Sequence, residues 1–282
     1  MKIISCKNRL FGIKRLIYFS IITETSEIII NRRRLIVKKR NQNKMIPPKK
    51  AFLRAEWLNL VMANYEVDPK ILAPYLPYGT ELDLWNDTCY LSLVGFMFCN
   101  TQVLGFKVPF HVNFEEVNLR FYVRYPDGNE WKRGVVFVKE IVPRAAITLI
   151  ANTLYKEHYQ TLPMRHSWEE DKEMKRIEYG WKFQNSWQSI KVHTHKTPQP
   201  IAEGSEAEFI TEHYWGYTRL NDQKTSEYQV EHPRWNSFEV THHEINWTPD
   251  ALYGPKFAYL KHAEPLSVFM ADGSEVAVNF RS

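Results

Sequence analysis

Phe110-His-Val-Asn-Phe-Glu-Glu-Val-Asn-Leu-Arg-Phe-Tyr-Val-Arg124 alternates from Phe114 onward. Glu116, Asn118, Arg120, Tyr122 and Arg124 fall on one side of an extended chain. Val117, Leu119, Phe121, Val123 and Tyr125 fall on the other, because strand side chains change face at every residue. A row of carboxylate, amide and guanidinium has two readings. It is the wet face of an ordinary sheet, or the inward face of a barrel whose cavity holds a polar ligand.

The flanking sequence extends the β reading in both directions. Upstream, Cys89–Asn100 is nearly all apolar, as a strand buried on both faces would be, and Glu81–Trp85 reads as another strand. Before it, Glu66–Pro74 reads as a short helix with Asp68 as its cap and Pro69 in its first turn. Downstream, Tyr125-Pro-Asp-Gly-Asn129 is a hairpin signal, and Gly134–Val142 is the return strand. Pro143 then opens a helix with Ala146, Ile147, Ile150, Ala151 and Leu154 at helical spacing, ending near Tyr155–Tyr159.

Further strands are expected at Arg176–Gln184, Trp187–Thr194, Tyr214–Leu220, Ser226–Val230 and Ser237–Val240. Ser205-Glu-Ala-Glu208 has the capping-box pattern of a helix start. Leu266–Met270 and Glu275–Asn279 read as a hairpin turning at Asp272-Gly273. The fold expected is mainly β (α+β), an antiparallel barrel with a few short helices, in a single domain over 45–282.

Charge divides the 282 residues unevenly. Residues 1–44 hold 12 Lys or Arg against 2 Asp or Glu, leaving 25 against 30 in the remainder. The acidic remainder argues against a nucleic-acid partner. The first 44 residues read as a poorly ordered basic extension; a sharper form makes Met45 the true start. Leu16–Ile22 is too short to cross a bilayer, which needs about 20 apolar residues, so no stable membrane association is expected. Three cysteines, Cys6, Cys89 and Cys99, without CxxC spacing fit a reducing, cytoplasmic setting.

The order of the pieces resembles the YqjF-like family, bacterial proteins of the acetoacetate decarboxylase-like superfamily. The resemblance rests on Leu76-Pro-Tyr-Gly-Thr-Glu-Leu-Asp83, Tyr90-Leu-Ser-Leu-Val-Gly-Phe96, Phe114-Glu-Glu-Val-Asn-Leu-Arg120, Arg133-Gly-Val-Val-Phe137, Phe209-Ile-Thr-Glu-His-Tyr214 and Val230-Glu-His-Pro-Arg-Trp235. It spans about residues 50–280 and implies a cone-like antiparallel β-barrel with an internal cavity. The superfamily's decarboxylases use a Schiff-base lysine, whose amine must be neutral to attack a ketone. Here Tyr159 falls at the lysine and His158 at a preceding proline. Lys156 lies three residues early, ~10 Å away if extended. Glu116 matches the superfamily's pocket glutamate.

These residues give two functional expectations. In the first, the barrel holds a small organic molecule with a keto or carboxylate group. Arg120 takes the anion, Glu116 acts as acid or base, and Asn118, His111, Tyr122, Lys156 and Tyr159 line the site. The protein is then a lyase or hydrolase without the Schiff-base lysine, or a carrier. In the second, Glu116 and Arg120 are an ion pair that neutralises an interior, and the protein is a structural or interaction module. Homo-oligomerisation is open in both. No cofactor or metal site is expected: His193-Thr-His195 and His242-His243 lack a third ligand in sequence, and no phosphate-binding loop, nucleophile elbow or dinucleotide fingerprint occurs.

Overall fold

The polar-row stretch is a strand with both faces buried, and the architecture is arranged to cover them. The computed structural model describes residues 51–280. The basic N-terminal segment, and with it the expectations of an extension and a start at Met45, lies outside the described residues.

The chain opens with β1 (Leu53–Glu66), β2 (Glu81–Leu82), β3 (Tyr90–Val103), β4 (Phe114–Asp127), β5 (Glu130–Val142) and β6 (Tyr159–Thr161). Next come β7 (Met164–Glu170), β8 (Met174–Phe183), β9 (Ser186–His195) and β10 (Gln199–Pro200). It ends with β11 (Trp215–Asn221), β12 (Lys224–Glu231), β13 (Asn236–Phe238), β14 (Val240–Asn246) and β15 (Ser267–Phe280). The helices α1 (Pro69–Leu72), α2 (Ala145–Ile150), α3 (Glu206–Thr211) and α4 (Pro249–Tyr253) are all short, so the fold is mainly β.

Local chemistry explains the helix starts. The Asp68 carboxylate accepts from the Lys70 N–H at 2.9 Å, with Pro69 in the first turn of α1. Ser205 Oγ accepts from the Glu208 N–H at 3.2 Å at the start of α3. The Glu208 carboxylate reaches back to the Gly204 N–H at 2.6 Å, one residue before its place in a standard capping box.

β4 lies between β3 and β5, antiparallel to each, with a two-residue turn at Gly128-Asn129. The path of pairings runs β1-β3-β4-β5-β11-β12-β15, and β15 pairs again with β1, so the sheet returns to its start. The return is uneven. β5 and β11 meet in parallel over two residue pairs, Gly134–Trp215 and Val135–Gly216. β6 is also parallel to β5. Both contacts depart from the expected antiparallel pairing. Close approach of backbones makes the first one possible. A Cβ on Gly134 would stand 2.6 Å from Trp215 O, and one on Gly216 would stand 2.1 Å from the Tyr228 ring.

β14, β9, β8 and β7, in that order, form a separate four-stranded sheet. Its Ile177, Tyr179, Trp181, Ile190 and Val192 share one buried cluster with Val117, Leu119, Phe121 and Val123. The Tyr179 hydroxyl donates to Asn59 O at 3.0 Å. This sheet therefore covers the apolar face of β4, and the polar row looks the other way.

Several expectations are corrected. β1 and β7 carry no clear alternation and were not anticipated; β1 is apolar on both faces over much of its length because Val61, Ala63 and Tyr65 pack into one buried cluster and Ala55, Leu60 and Met62 into another. The strand expected at Glu81–Trp85 is only Glu81–Leu82. The helix after Pro143 is α-helical only over Ala145–Ile150, and Ala151–Tyr155 widen into a π-turn. The Leu266–Asn279 hairpin is one continuous strand, β15. Its two halves both pair with β1, from Asn64–Ser267 to Leu53–Val278, instead of with each other.

Candidate functional site

Three strands and one short segment after a helix bring polar groups into a cavity of about 240 Å³. β4 contributes Glu116, Asn118 and Arg120 by simple alternation. β5 contributes Glu140 by a different device. Opposite Leu119 and Arg120 the register shifts, pairing Leu119 with Lys139 but Arg120 with Phe137. This bulge changes which residues of β5 face inward, so Val135 and Phe137 line the cavity on one side of it and Glu140 on the other.

Glu157 and Tyr159 follow the π-turn, and β12 adds Tyr228. Asn152 fixes this segment. Its Nδ2 donates to Tyr159 O at 2.8 Å, and its Oδ1 accepts from the Tyr159 N–H at 2.8 Å. One amide side chain thus clamps the Tyr159 backbone in both directions.

Three carboxylates now share a buried space. Asn118 Nδ2 donates to Glu116 Oε1 at 2.9 Å, and the Tyr159 hydroxyl donates to Oε2 at 3.3 Å. Burial pushes Glu116 up to about 7, against the pull of Asn118, Tyr159 and Arg120 and with the help of Glu157. Burial also pushes Glu157 up to about 7, although Thr218 donates to its Oε1 at 2.6 Å. Glu140 is held well above the usual carboxylate range by burial and then by Glu157 and Glu116. Tyr159 is raised well above the usual phenol range by burial and by Glu116 and Glu140. Like charges this close cannot all ionise near neutrality, so the group shares protons and titrates as a unit.

Arg120 does not form the expected pair with Glu116. Among the described residues no carboxylate lies within 4.0 Å of its guanidinium. Nη2 is 3.5 Å from Ile210 O and 3.9 Å from Met62 Sδ, and Nε has no protein partner. The Arg120 Cζ also lies 5.7 Å from the centroid of the Tyr122 ring; a half-buried guanidinium with these partners keeps N–H capacity that a carboxylate can use.

Two histidines that sequence reasoning did not single out also line the cavity. His213 Nε2 is 3.1 Å from Asp83 Oδ2, which also accepts from Arg133 Nε at 2.6 Å. Burial lowers His213 to about 4, outweighing the Asp83 contact. Burial likewise lowers His232 to about 4; its ring stacks on Trp235 at 4.0 Å. Both are neutral imidazoles at pH 7.

The structure separates the other expected site residues. His111 lines the cavity from the partly exposed loop before β4, with Nδ1 2.8 Å from Pro109 O. Tyr122 shares the inward parity but lies beneath the wall, its hydroxyl 2.7 Å from Ser92 Oγ and its ring against Phe209 and His213. Lys156 is exposed, with φ +58°, and is not on the cavity wall, because the turn it makes points its neighbours Glu157 and Tyr159 inward instead. His158 lines a smaller polar pocket with Arg219 and Thr218, which touches the main cavity through Glu157. His193 and His242 stand with rings 5.2 Å apart on the small sheet, and no group of three His, Cys, Asp or Glu among the described residues is placed to hold a metal. No helix among the described residues is long and apolar enough to cross a membrane.

A mainly β chain whose strand pairing returns on itself beside an acid-lined cavity has the acetoacetate decarboxylase-like fold. Within that class, the chain belongs to the DUF2071 family of uncharacterized conserved proteins, whose model matches residues 54–275. It is 27% identical over 199 residues to the uncharacterized protein YqjF of Bacillus subtilis (strain 168), an alignment covering 68% of this chain and 78% of YqjF. Its fold is similar to acetoacetate decarboxylase from Legionella pneumophila, with TM-score 0.57, 12% identity, and 85% and 92% of the two chains covered. It is also similar to the enduracididine biosynthesis enzyme MppR in a structure with pyruvate, with TM-score 0.56, 13% identity, and 85% and 91% covered. The YqjF-like resemblance read from the motifs is thus upheld by the family, and the distant structures speak for the fold alone.

Proposed function

We propose that this protein binds a small organic acid, a keto acid or related carboxylate, inside a barrel-like enclosure, and moves a proton on it. The observation that carries this reading is Arg120, a cation on the cavity wall without a carboxylate partner among the described residues, beside carboxyl groups that hold protons near neutral pH. Arg120 would take the ligand's carboxylate. Glu116 would give or accept a proton at the neighbouring carbon or carbonyl, with Tyr159 and Asn118 orienting it. The similar structure of MppR was determined with pyruvate, a ligand of this kind.

Native mass spectrometry with a mixture of small carboxylic acids tests the binding step. Arg120→Gln is expected to weaken retention of the bound acid at least tenfold, the magnitude of a lost charge-assisted hydrogen bond. Unchanged retention in the folded variant would remove Arg120 from the site.

No imine is expected to form. Among the described residues, none of those lining the cavity is a lysine. Incubation with a β-keto acid and borohydride should therefore leave the mass of the protein unchanged. A reduced adduct on Lys156 would restore the Schiff-base route.

A further inference from the structure

We infer that the ligand is amphipathic: a carboxylate carried on an aryl group or a medium-length alkyl chain, and not a short polar keto acid. The inference rests on the carboxylate reading above and specifies the rest of the molecule. It comes from how the cavity divides. Glu116, Asn118, Arg120, Glu140, Tyr159 and Tyr228 sit together on the stretch of wall built by β4, β5, β6 and β12. A second stretch of wall is aromatic and aliphatic: Trp57 and Leu60 on β1, Phe96 and Phe98 on β3, Phe114 at the start of β4, and Trp235; it runs on from the polar stretch, with Phe96 paired to Glu116 and Phe98 to Phe114. Its rings are ordered against one another, with Trp57–Phe96 centroids 5.3 Å apart, Trp57–Phe98 5.7 Å and Phe98–Phe114 4.6 Å.

A three- or four-carbon acid held at Arg120 would leave that wall without contacts. A cavity of about 240 Å³ leaves room for a body beyond the acid group. An apolar wall gains affinity only from an apolar surface laid on it.

The apolar character continues outward. Val108 and Ala146 line the cavity and are also exposed, which puts its opening between the loop at 104–113 and α2. On the same loop Leu104, Phe106 and Phe110 are 67%, 75% and 85% exposed, and on α2 Leu149 is 68% exposed. Phe110 holds φ +64°, a conformation that a bulky residue adopts at a cost. An apolar rim around an apolar throat suits a ligand whose tail passes through it.

Isothermal titration of the full chain at pH 6.5 with pyruvate, acetoacetate, hexanoate, octanoate and phenylpyruvate tests this. Affinity is expected to rise about fourfold per added methylene until the cavity is full, the fold-change of burying one such group. Arg120→Gln should weaken octanoate at least tenfold and leave octanol unchanged. Phe106→Ser and Phe110→Ser, both at exposed positions, should weaken octanoate several-fold and pyruvate not at all. Acetoacetate binding as tightly as phenylpyruvate would overturn the amphipathic assignment while the carboxylate reading stands. No acid of any size binding to folded protein would overturn the carboxylate reading itself. Rim variants that change the oligomeric state but no affinity would assign the rim to a partner and remove it from the ligand path.

Discussion

Gly273→Ala is expected to destabilise the protein by about 3 kcal/mol or more, the largest effect of any single methyl group added to this fold. Gly273 lies in the middle of β15 with φ +84°, where an L side chain is strained whatever space it has. It has no space either. A Cβ would stand 1.9 Å from Trp57 O and 2.9 Å from a Leu60 methyl. The first obstacle is backbone and cannot swing aside. The register here passes from Leu58–Gly273 to Leu60–Ala271, leaving Asn59 at φ +51°. Matched kinks in β1 and β15 bend two long strands together, at the pairing that returns the sheet to its start.

Trp57 and Leu60 also line the cavity, so the variant should loosen the site as well as the fold. Urea unfolding of Gly273→Ala beside the wild type measures the effect. A loss under 1 kcal/mol would mean that the two strands do not need this kink.

Glu140→Gln is expected to stabilise the protein at pH 8 and to flatten its pH dependence above pH 6.5. A carboxyl group whose proton affinity rises on folding contributes stability that is full below the unfolded value, near 4.5. That contribution is lost as the pH rises through the folded value. Glu116 and Glu157 lose it up to about pH 7, and Glu140, held well above the usual carboxylate range by burial and by its two neighbours, adds to the loss. His213 and His232, lowered to about 4, act with the opposite sign: they cost stability as the pH falls below about 6.5. Between pH 6.5 and 8 the carboxyl cluster therefore dominates. The wild-type melting temperature should fall across that range, and the amide, which cannot ionise, should remove much of the fall. Binding of an anionic ligand should weaken over the same range, as Glu116 and Glu157 gain charge beside it. A wild-type melting temperature that rises from pH 6.5 to 8 would show that the carboxyl groups ionise freely in the fold.

Some of this was legible in the residues. The period-two pattern from Phe114 to Arg124 placed Glu116, Asn118 and Arg120 on one face, and that face is the cavity wall. Asp68-Pro69 and Ser205-Glu-Ala-Glu208 marked helix starts that exist, since a cap is satisfied within one turn of chain. The Asp127-Gly128 turn likewise joins the strands on either side of it.

The same kind of signal misled at Asp272-Gly273. A glycine that a tight turn would use is also what a kinked strand uses, and only the neighbouring strand distinguishes them. Glu140 was hidden for a related reason. Its inward position depends on a one-residue shift between β4 and β5, which leaves no mark on the alternation of β5 itself.

By itself, then, the sequence determined what neighbouring residues decide: strand parity, helix caps, the hairpin turn and the family-bearing motifs. Tertiary structure alone decided which face of β4 is enclosed, that β15 returns to β1, and that Glu116, Glu140 and Glu157 share one buried space, with Arg120 beside them and without a carboxylate partner among the described residues. The reason is physical. Alternation and capping act over a few residues, whereas burial and the repulsion between carboxylates depend on distances that only the folded chain sets.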